Sequence, residues 1–294
     1  MEIFAGITEP TLRLSAFAGI FLAMVVLEYL LPKRRLTVSK SRRWLTNISI
    51  GGIDSLLVRL MAMLVIPLAA VATALSAERI GVGVFNWLGW PHWIEILLAV
   101  VLLDLAIYGQ HVASHKFAIL WRLHRVHHSD LDFDVTTAIR FHPIEIGLSM
   151  LYKIVLVLIL GASALAVVLF EVILNGCAMF NHSNIALPSW LDRPLRLILV
   201  TPDMHRVHHS IIHRETNSNY GFNLSVWDRV FHTYRPQPAK GHEGMTIGLP
   251  EYQSRNPVRL LWSLSLPFRG PARPRSCAQS TPGAKINKSV INKP

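Results

Sequence analysis

The chain has 294 residues, 51% of them hydrophobic and only 16% charged, with a net charge of +11. A soluble domain carries about 25% charged residues. Here the apolar residues come in blocks rather than amphipathic stripes, so composition excludes an ordinary soluble globule and points to an all-α integral membrane protein.

In chain order, the opening MEIFAGITEP lacks a basic n-region, so the first apolar block is expected to be a retained span rather than a cleaved signal. That span covers about residues 12–31 and ends at Pro32. Lys33, Arg34, Arg35, Lys40, Arg42 and Arg43 follow, and this run of cations places the loop in the cytoplasm. A second span over about 53–75 returns outward to an exterior loop, 76–92, rich in Gly and Trp. A third span over about 93–110 then delivers His111 and His115 to the cytoplasmic face.

Residues 144–180 are almost continuously apolar, too long for one upright helix and right for two short ones reversing near Gly161. Read as a hairpin, they enter and leave on the cytoplasmic side, so all the histidine motifs share one face. Pro188, Pro194 and Pro202 punctuate a polar stretch, and 185–268 reads as a cytoplasmic cap of short helices. Residues 269–294 have little to bury and are expected to be a disordered basic tail. The chain thus divides into N-terminal spans with a basic loop (1–91), a catalytic region (92–268) and a tail (269–294), with four to five membrane helices in all.

The basic residues lie where membrane-flanking loops should be, so topology and anionic headgroups account for the charge and no nucleic-acid partner is expected. Cys177 and Cys277 stand far apart in unlike contexts and imply neither a disulfide framework nor a metal knuckle.

The hexapeptide HRVHHS occurs twice, at 124–129 and 205–210. Neutral imidazole suits iron, zinc, copper or nickel, and histidines three or four apart on a helix point the same way. His111 and His115 are four apart; His124, His127 and His128 form one triplet; His205, His208 and His209 repeat it. Each triplet can present a three-nitrogen patch, and His182 in FNHSN makes a ninth candidate. One first-row ion takes at most about six ligands, so two ions with four or five imidazoles each, and an open position on each, account for the set. Candidates to accept the outer N–H of a ligating histidine are Asp104, one helical face with His111, together with Asp130, Asp132, Asp134, Asp203 and Asp228; His142 could orient a ligand, contact substrate or be a ligand. His92 reads as interfacial, and His213, His232 and His242 as supporting or surface residues, with His242 on the cap surface. Glu28, Asp54, Arg59, Lys153 and Glu171 interrupt apolar stretches without an assigned role.

HVASH, HRVHHS, TTAIRFHP, FNHSNI, TPDMHRVHHS and NSNYGFNLSVWDRVFHTY, in that order and spacing, resemble the fatty acid hydroxylase/sterol desaturase superfamily of integral-membrane di-iron enzymes, including its alkylglycerol monooxygenase-like and bacterial sterol-desaturase-like members. The resemblance runs from about Asp104 to Tyr234. It implies a four-helix membrane scaffold under a cytosolic cap, and carries His111, His115, His124, His127, His128, His205, His208 and His209 over as iron ligands, with His182 beside them. Some members have a further histidine where this chain has Ala178. The resemblance also implies two irons (zinc can replace them in preparations), O2 as co-substrate, a membrane lipid as substrate and a bacterial inner (cytoplasmic) membrane location. No GxGxxG loop, iron–sulfur cysteine set or HPGG segment is present, so a separate ferredoxin, cytochrome b5-like protein or reduced pterin is implied as electron donor. Lipid hydroxylation leads; desaturation on the same scaffold is not separated by the motifs. A metal transporter would hold its ions nearer the membrane midplane, and a zinc hydrolase needs only three protein ligands.

Overall fold

The computed structural model describes residues 2–4, 7–64 and 69–270. Among them the only strands are the short antiparallel pair β1 (Glu2–Phe4) and β2 (Ile7–Thr8). Five helices are long and apolar enough to cross a membrane: α1 (Glu9–Leu30), α2 (Lys40–Leu64), α5 (His92–Lys116), α7 (Pro143–Leu160) and α8 (Ala164–Asn181), with α3 (Ala70–Ile80), α4 (Val84–Leu88) and α6 (Ala118–His128) between them. Leu22, Leu56, Leu97, Val155 and Ile173 point outward from the five long helices, as side chains facing lipid tails should. Helix α8 is the central post, packed against α1, α3 and α5, while α7 packs on α2 and α3.

The hairpin reverses where the sequence suggests. Gly161 ends α7 in the left-handed region (φ 67°), and the Ser163 side chain accepts from Ala166 N–H to start α8. Gly83 (φ 105°) lies against this turn, so close that a Cβ there would sit 2.2 Å from Gly161 N.

The second span differs from the expected 53–75. Helix α2 begins at Lys40, so Lys40, Arg42 and Arg43 belong to its first turn rather than to a loop, and α3 is a separate helix that occupies, with α4, much of the expected exterior loop. The cause is pairing with residues far along the chain. Arg43 is fully buried, donating to Asp130 at 2.7 and 2.8 Å and to Asp134 at 2.7 Å. A charge read as a loop marker is therefore a cross-link between α2 and the cap.

The cap comprises α6, a 3-10 turn (Val135–Ile139), α9 (Ser189–Ile198), α10 (Pro202–His208), α11 (His213–Thr216), α12 (Val226–Val230), α13 (Gly241–Gly244) and α14 (Leu260–Ser265). Buried polar groups tie it to the helix ends. The Glu28 carboxylate accepts from Val135 N–H (2.7 Å) and Asn184 N–H (2.9 Å), and Arg140 donates to Asn47 Oδ1 (2.7 Å) and to Val126 O (2.9 Å). The ends of α1, α5 and α8 and the starts of α2 and α7 therefore gather at one end of the bundle, beneath the cap. Of the basic tail expected over 269–294, all beyond residue 270 lies outside the described residues, as does Cys277.

Candidate metal centre

Four elements bring histidines together at the cap end of the bundle. The last turns of α5 carry His111 and His115. The chain breaks at Phe117, in extended backbone, and restarts as α6, which carries His124, His127 and His128. His182 caps α8, and α10, opened by Pro202, presents His205 and His208 with His209 as its cap. All nine are buried.

They form two groups, each with ligand atoms within 4.8 Å of one another: His111, His115, His124, His128 and His208, and His127, His182, His205 and His209. The nine residues are those picked out by sequence, but the two copies of HRVHHS do not serve one group each. Copy one gives His124 and His128 to the five-membered group and His127 to the other; copy two gives His205 and His209 to the four-membered group and His208 to the five. Helix geometry explains the crossing. At 3.6 residues per turn, position i+3 lies about 60° to one side of position i, and i+4 about 40° to the other. Each triplet thus straddles the line between the groups, and the groups are neighbours: His127 and His128 ring centres lie 5.3 Å apart, His208 and His209 5.5 Å.

The hydrogen bonds show which nitrogens face inward. His111 Nδ1 lies 2.8 Å from Tyr220 O, His208 Nδ1 2.7 Å from Ser218 O, His182 Nδ1 2.8 Å from Ala178 O and His124 Nδ1 2.7 Å from Glu145 Oε1. Each acceptor fixes its ring with the proton on Nδ1 and a bare Nε2. Those Nε2 atoms of His111, His124 and His208 are buried with no hydrogen-bond partner among the described residues. His182 Nε2 approaches both His127 Nε2 and His205 Nε2 at 3.1 Å, and His115 Nε2 approaches His128 Nε2 at 3.1 Å. Buried nitrogens left unpaired are costly, and lone pairs converging on common points are the arrangement a cation relieves. The donor set therefore fits two first-row metal ions. Imidazole–metal bonds of about 2.1 Å would let ligand atoms of one ion lie up to about 4.2 Å apart, a span comparable with the 4.8 Å within which each group's ligand atoms lie.

Electrostatics favour the neutral, ligating form. Burial first, then the neighbouring imidazoles, hold His127, His128, His205 and His209 well below the ordinary histidine value. Against the raising effect of their carbonyl partners, His182 lies at about 4 and His208 at about 3. Protons compete poorly for such nitrogens at neutral pH.

The other sequence candidates take different places. The Asp104 carboxylate touches no histidine; it accepts from Trp227 Nε1 (2.8 Å) and from Leu224 and Asn223 N–H, pinning the cap loop to α5. His142 is a helix cap, accepting from Ile144 N–H at 3.2 Å with Nε2 3.1 Å from Leu264 O, so both ring nitrogens are engaged away from the groups. Asp203 pairs with Lys33 (2.8 Å) and Arg206. Asp228 acts at one remove: it accepts from Tyr220 N–H (2.7 Å), Gly221 N–H (2.8 Å) and Thr233 Oγ1 (2.6 Å), holding the loop whose Tyr220 carbonyl meets His111. His242 is buried beside Asp203 rather than on the cap surface, and exposed His92 pairs with Glu95 at the far end of α5. Sequence reading missed Glu145, one turn beyond His142 in FHPIE, and the three carbonyls, which carry no side-chain signal.

A cavity of about 470 Å³ opens beside the five-membered group, between α1, α2, α5, α7 and α8. His111 and His124 line it, and Phe17, Ile48, Ile107, Leu174 and Phe222 are among its apolar walls.

Residues 96–233 match the family model described as fatty acid hydroxylase, a stretch that contains all nine histidines. The chain is 32% identical over 163 residues to ornithine lipid hydroxylase OlsE of Rhizobium tropici (53% of this chain, 47% of that protein). It is 30% identical over 161 residues to human alkylglycerol monooxygenase (52% and 33%), and 27% identical over 135 residues to very-long-chain aldehyde decarbonylase GL1-5 of rice (43% and 21%). The match thus spans less than half the length of each of these relatives. No solved structure matches the chain. The resemblance drawn from the motifs is borne out.

Proposed function

We propose that this chain is a multi-pass membrane oxidoreductase, O2-dependent and di-iron, that hydroxylates a C–H bond of a lipid. The observation that carries the reading is the junction of two adjacent groups of buried, bare imidazole nitrogens with an apolar cavity between membrane helices. His111, His115, His124, His128 and His208 would hold one iron; His127, His182, His205 and His209 would hold the other. Two irons bound there would supply the redox chemistry that reduces O2 and oxidises an unactivated C–H bond. One oxygen atom goes to the lipid and the other to water, with two electrons and two protons supplied from outside.

The chain's own residues do the rest. Glu145 and the carbonyls of Tyr220, Ser218 and Ala178 hold four rings in the tautomer that turns Nε2 inward. The apolar cavity walls would take up a lipid chain beside His111 and His124 and keep water from it. We take 92–268 as the catalytic region, with α1 and α2 contributing cavity wall from the segment before it. The run of cations after α1 supports a cytoplasmic location for the cap, and the first relative is bacterial, which supports a bacterial inner membrane. A separate ferredoxin, cytochrome b5-like protein or reduced pterin would supply electrons.

Lipidomics of expressing against non-expressing cells under 18O2 tests this. A lipid heavier by one labelled oxygen is expected. A lipid lighter by two hydrogens would instead establish a desaturase on the same scaffold. An unchanged lipidome, with zinc moved across liposomes by the purified chain, would refute the oxygenase reading.

A further inference from the structure

One cavity residue has no role in holding histidines. Asp54 lies in α2, only 8% exposed, and its Oδ1 is buried with no hydrogen-bond partner among the described residues. It lines the cavity, as does Glu145, whose Oε1 meets His124 while its Oε2 is likewise buried and unpartnered. Among the described residues nothing compensates Asp54, and a buried carboxyl with no partner is costly. Such a group persists where something outside the protein completes it.

The rest of the lining says what that partner is. No lysine or arginine is among the lining residues. Ser55, Ser149 and one N–H of Asn175 donate to Gly51 O (2.8 Å), Gln110 Oε1 (3.3 Å) and Glu171 O (2.8 Å), so these donors are already committed; Gln110 and Ser114 are the other polar side chains of the lining besides the two histidines and the two acids. The two carboxyl groups are then its strongest hydrogen-bonding groups. An anion placed among them would meet two carboxyl groups and no lysine or arginine, whereas a hydroxyl, amide N–H or amine would find carboxyl acceptors.

Resting on the reading of this cavity as the lipid site, we propose that Asp54 is a specificity-determining residue: with Glu145 it selects lipids bearing a hydrogen-bond donor near the end of the chain that enters, and rejects free carboxylates. The substrate class is a hydroxyl-, amide- or amine-bearing lipid rather than a free fatty acid.

The test is binding to the metal-loaded full chain in detergent, by displacement of a spin-labelled lipid, with hexadecylamine, N-hexadecanoylethanolamine and hexadecanoate as probes. Wild type should prefer both donor lipids over hexadecanoate. Asp54→Asn keeps one acceptor oxygen but puts an amide NH2 beside it, so it should weaken the donor lipids by about five- to tenfold and shrink that preference while bound metal stays unchanged. Loss for the amine alone would identify a cationic partner, and loss for both a neutral donor. Asp54→Leu removes an uncompensated buried carboxyl and should fold with a Tm equal to or above wild type. Equal affinity of wild type for donor lipids and hexadecanoate, or an unchanged preference in Asp54→Asn, would overturn the inference even if labelled oxygen enters a lipid. Conversely, Asp54-dependent binding without lipid oxidation would uphold it and sink the oxygenase reading instead.

Discussion

Pairs of histidine-to-alanine changes distinguish a partition by space from a partition by motif copy. The double variant His182→Ala/His205→Ala removes two members of the four-membered group and leaves His127 and His209. The double variant His205→Ala/His208→Ala removes two residues of one hexapeptide copy, but takes one from each group and leaves three and four ligands. Four-ligand zinc sites bind with about 10–16 kcal/mol, so each imidazole contributes about 2.5–4 kcal/mol, or about 10²–10³ in affinity. The first variant should weaken one ion by about 10⁴–10⁶ and leave the other untouched. Iron per chain, measured by mass spectrometry after dialysis against a weak chelator, should fall from two to one. In the second variant both ions are weakened by about 10²–10³, and both should leave together as chelator is raised. If instead the second variant cleanly removed one iron while the first thinned both, each motif copy would serve its own ion and the spatial partition would be wrong.

Glu145→Gln keeps an acceptor but loses its charge, a difference of about 1–1.5 kcal/mol, so iron affinity and turnover should fall about five- to tenfold, and Glu145→Ala about 10–100-fold; wild-type iron affinity in Glu145→Ala would show that the His124 contact does not matter. The metal-free protein should lose stability on acidification. His182 at about 4 and His208 at about 3 lie below the ordinary 6.5, so as pH falls below about 6.5 the unfolded chain takes up protons that the folded chain does not. Its Tm should drop progressively from about pH 6.5 towards 3, and a Tm flat across that window would contradict the assignment of these rings as buried and neutral. Gly83→Ala would drive a Cβ to 2.2 Å from Gly161 N at a φ of 105°, costing about 2–6 kcal/mol in strain and overpacking and lowering Tm by several degrees. Gly52→Ala in α2, where a Cβ meets nothing within 4 Å, should instead be neutral or stabilising by up to about 1 kcal/mol; equal effects of the two would refute the close packing at the α7–α8 turn.

The nine histidines and the hairpin reversal were legible because both are local signals. Glycine followed by Ala-Ser ends one helix and starts the next within three residues, and ligand spacing is set by a single helical turn. The start of α2 was not legible, since Arg43 is neutralised by Asp130 and Asp134, far along the chain, and looks like loop charge without them. The division of ligands between the groups follows from helix angle only once α6 and α10 are known to face each other. Asp104 and His142 misled for a common reason: a carboxylate or imidazole near ligands in sequence also makes a good cap or loop anchor, and here each is one. Asp54 stood out as a charge in an apolar block, and only the cavity gives it something to face.

The central claim is that two ions sit side by side, each held by a different set of histidines drawn from both motif copies. Anomalous diffraction at the iron edge from crystals of the iron-loaded protein tests it most directly. Two peaks are predicted, one amid His111, His115, His124, His128 and His208 and one amid His127, His182, His205 and His209. A single peak, or two peaks each surrounded by one intact hexapeptide triplet, would contradict it.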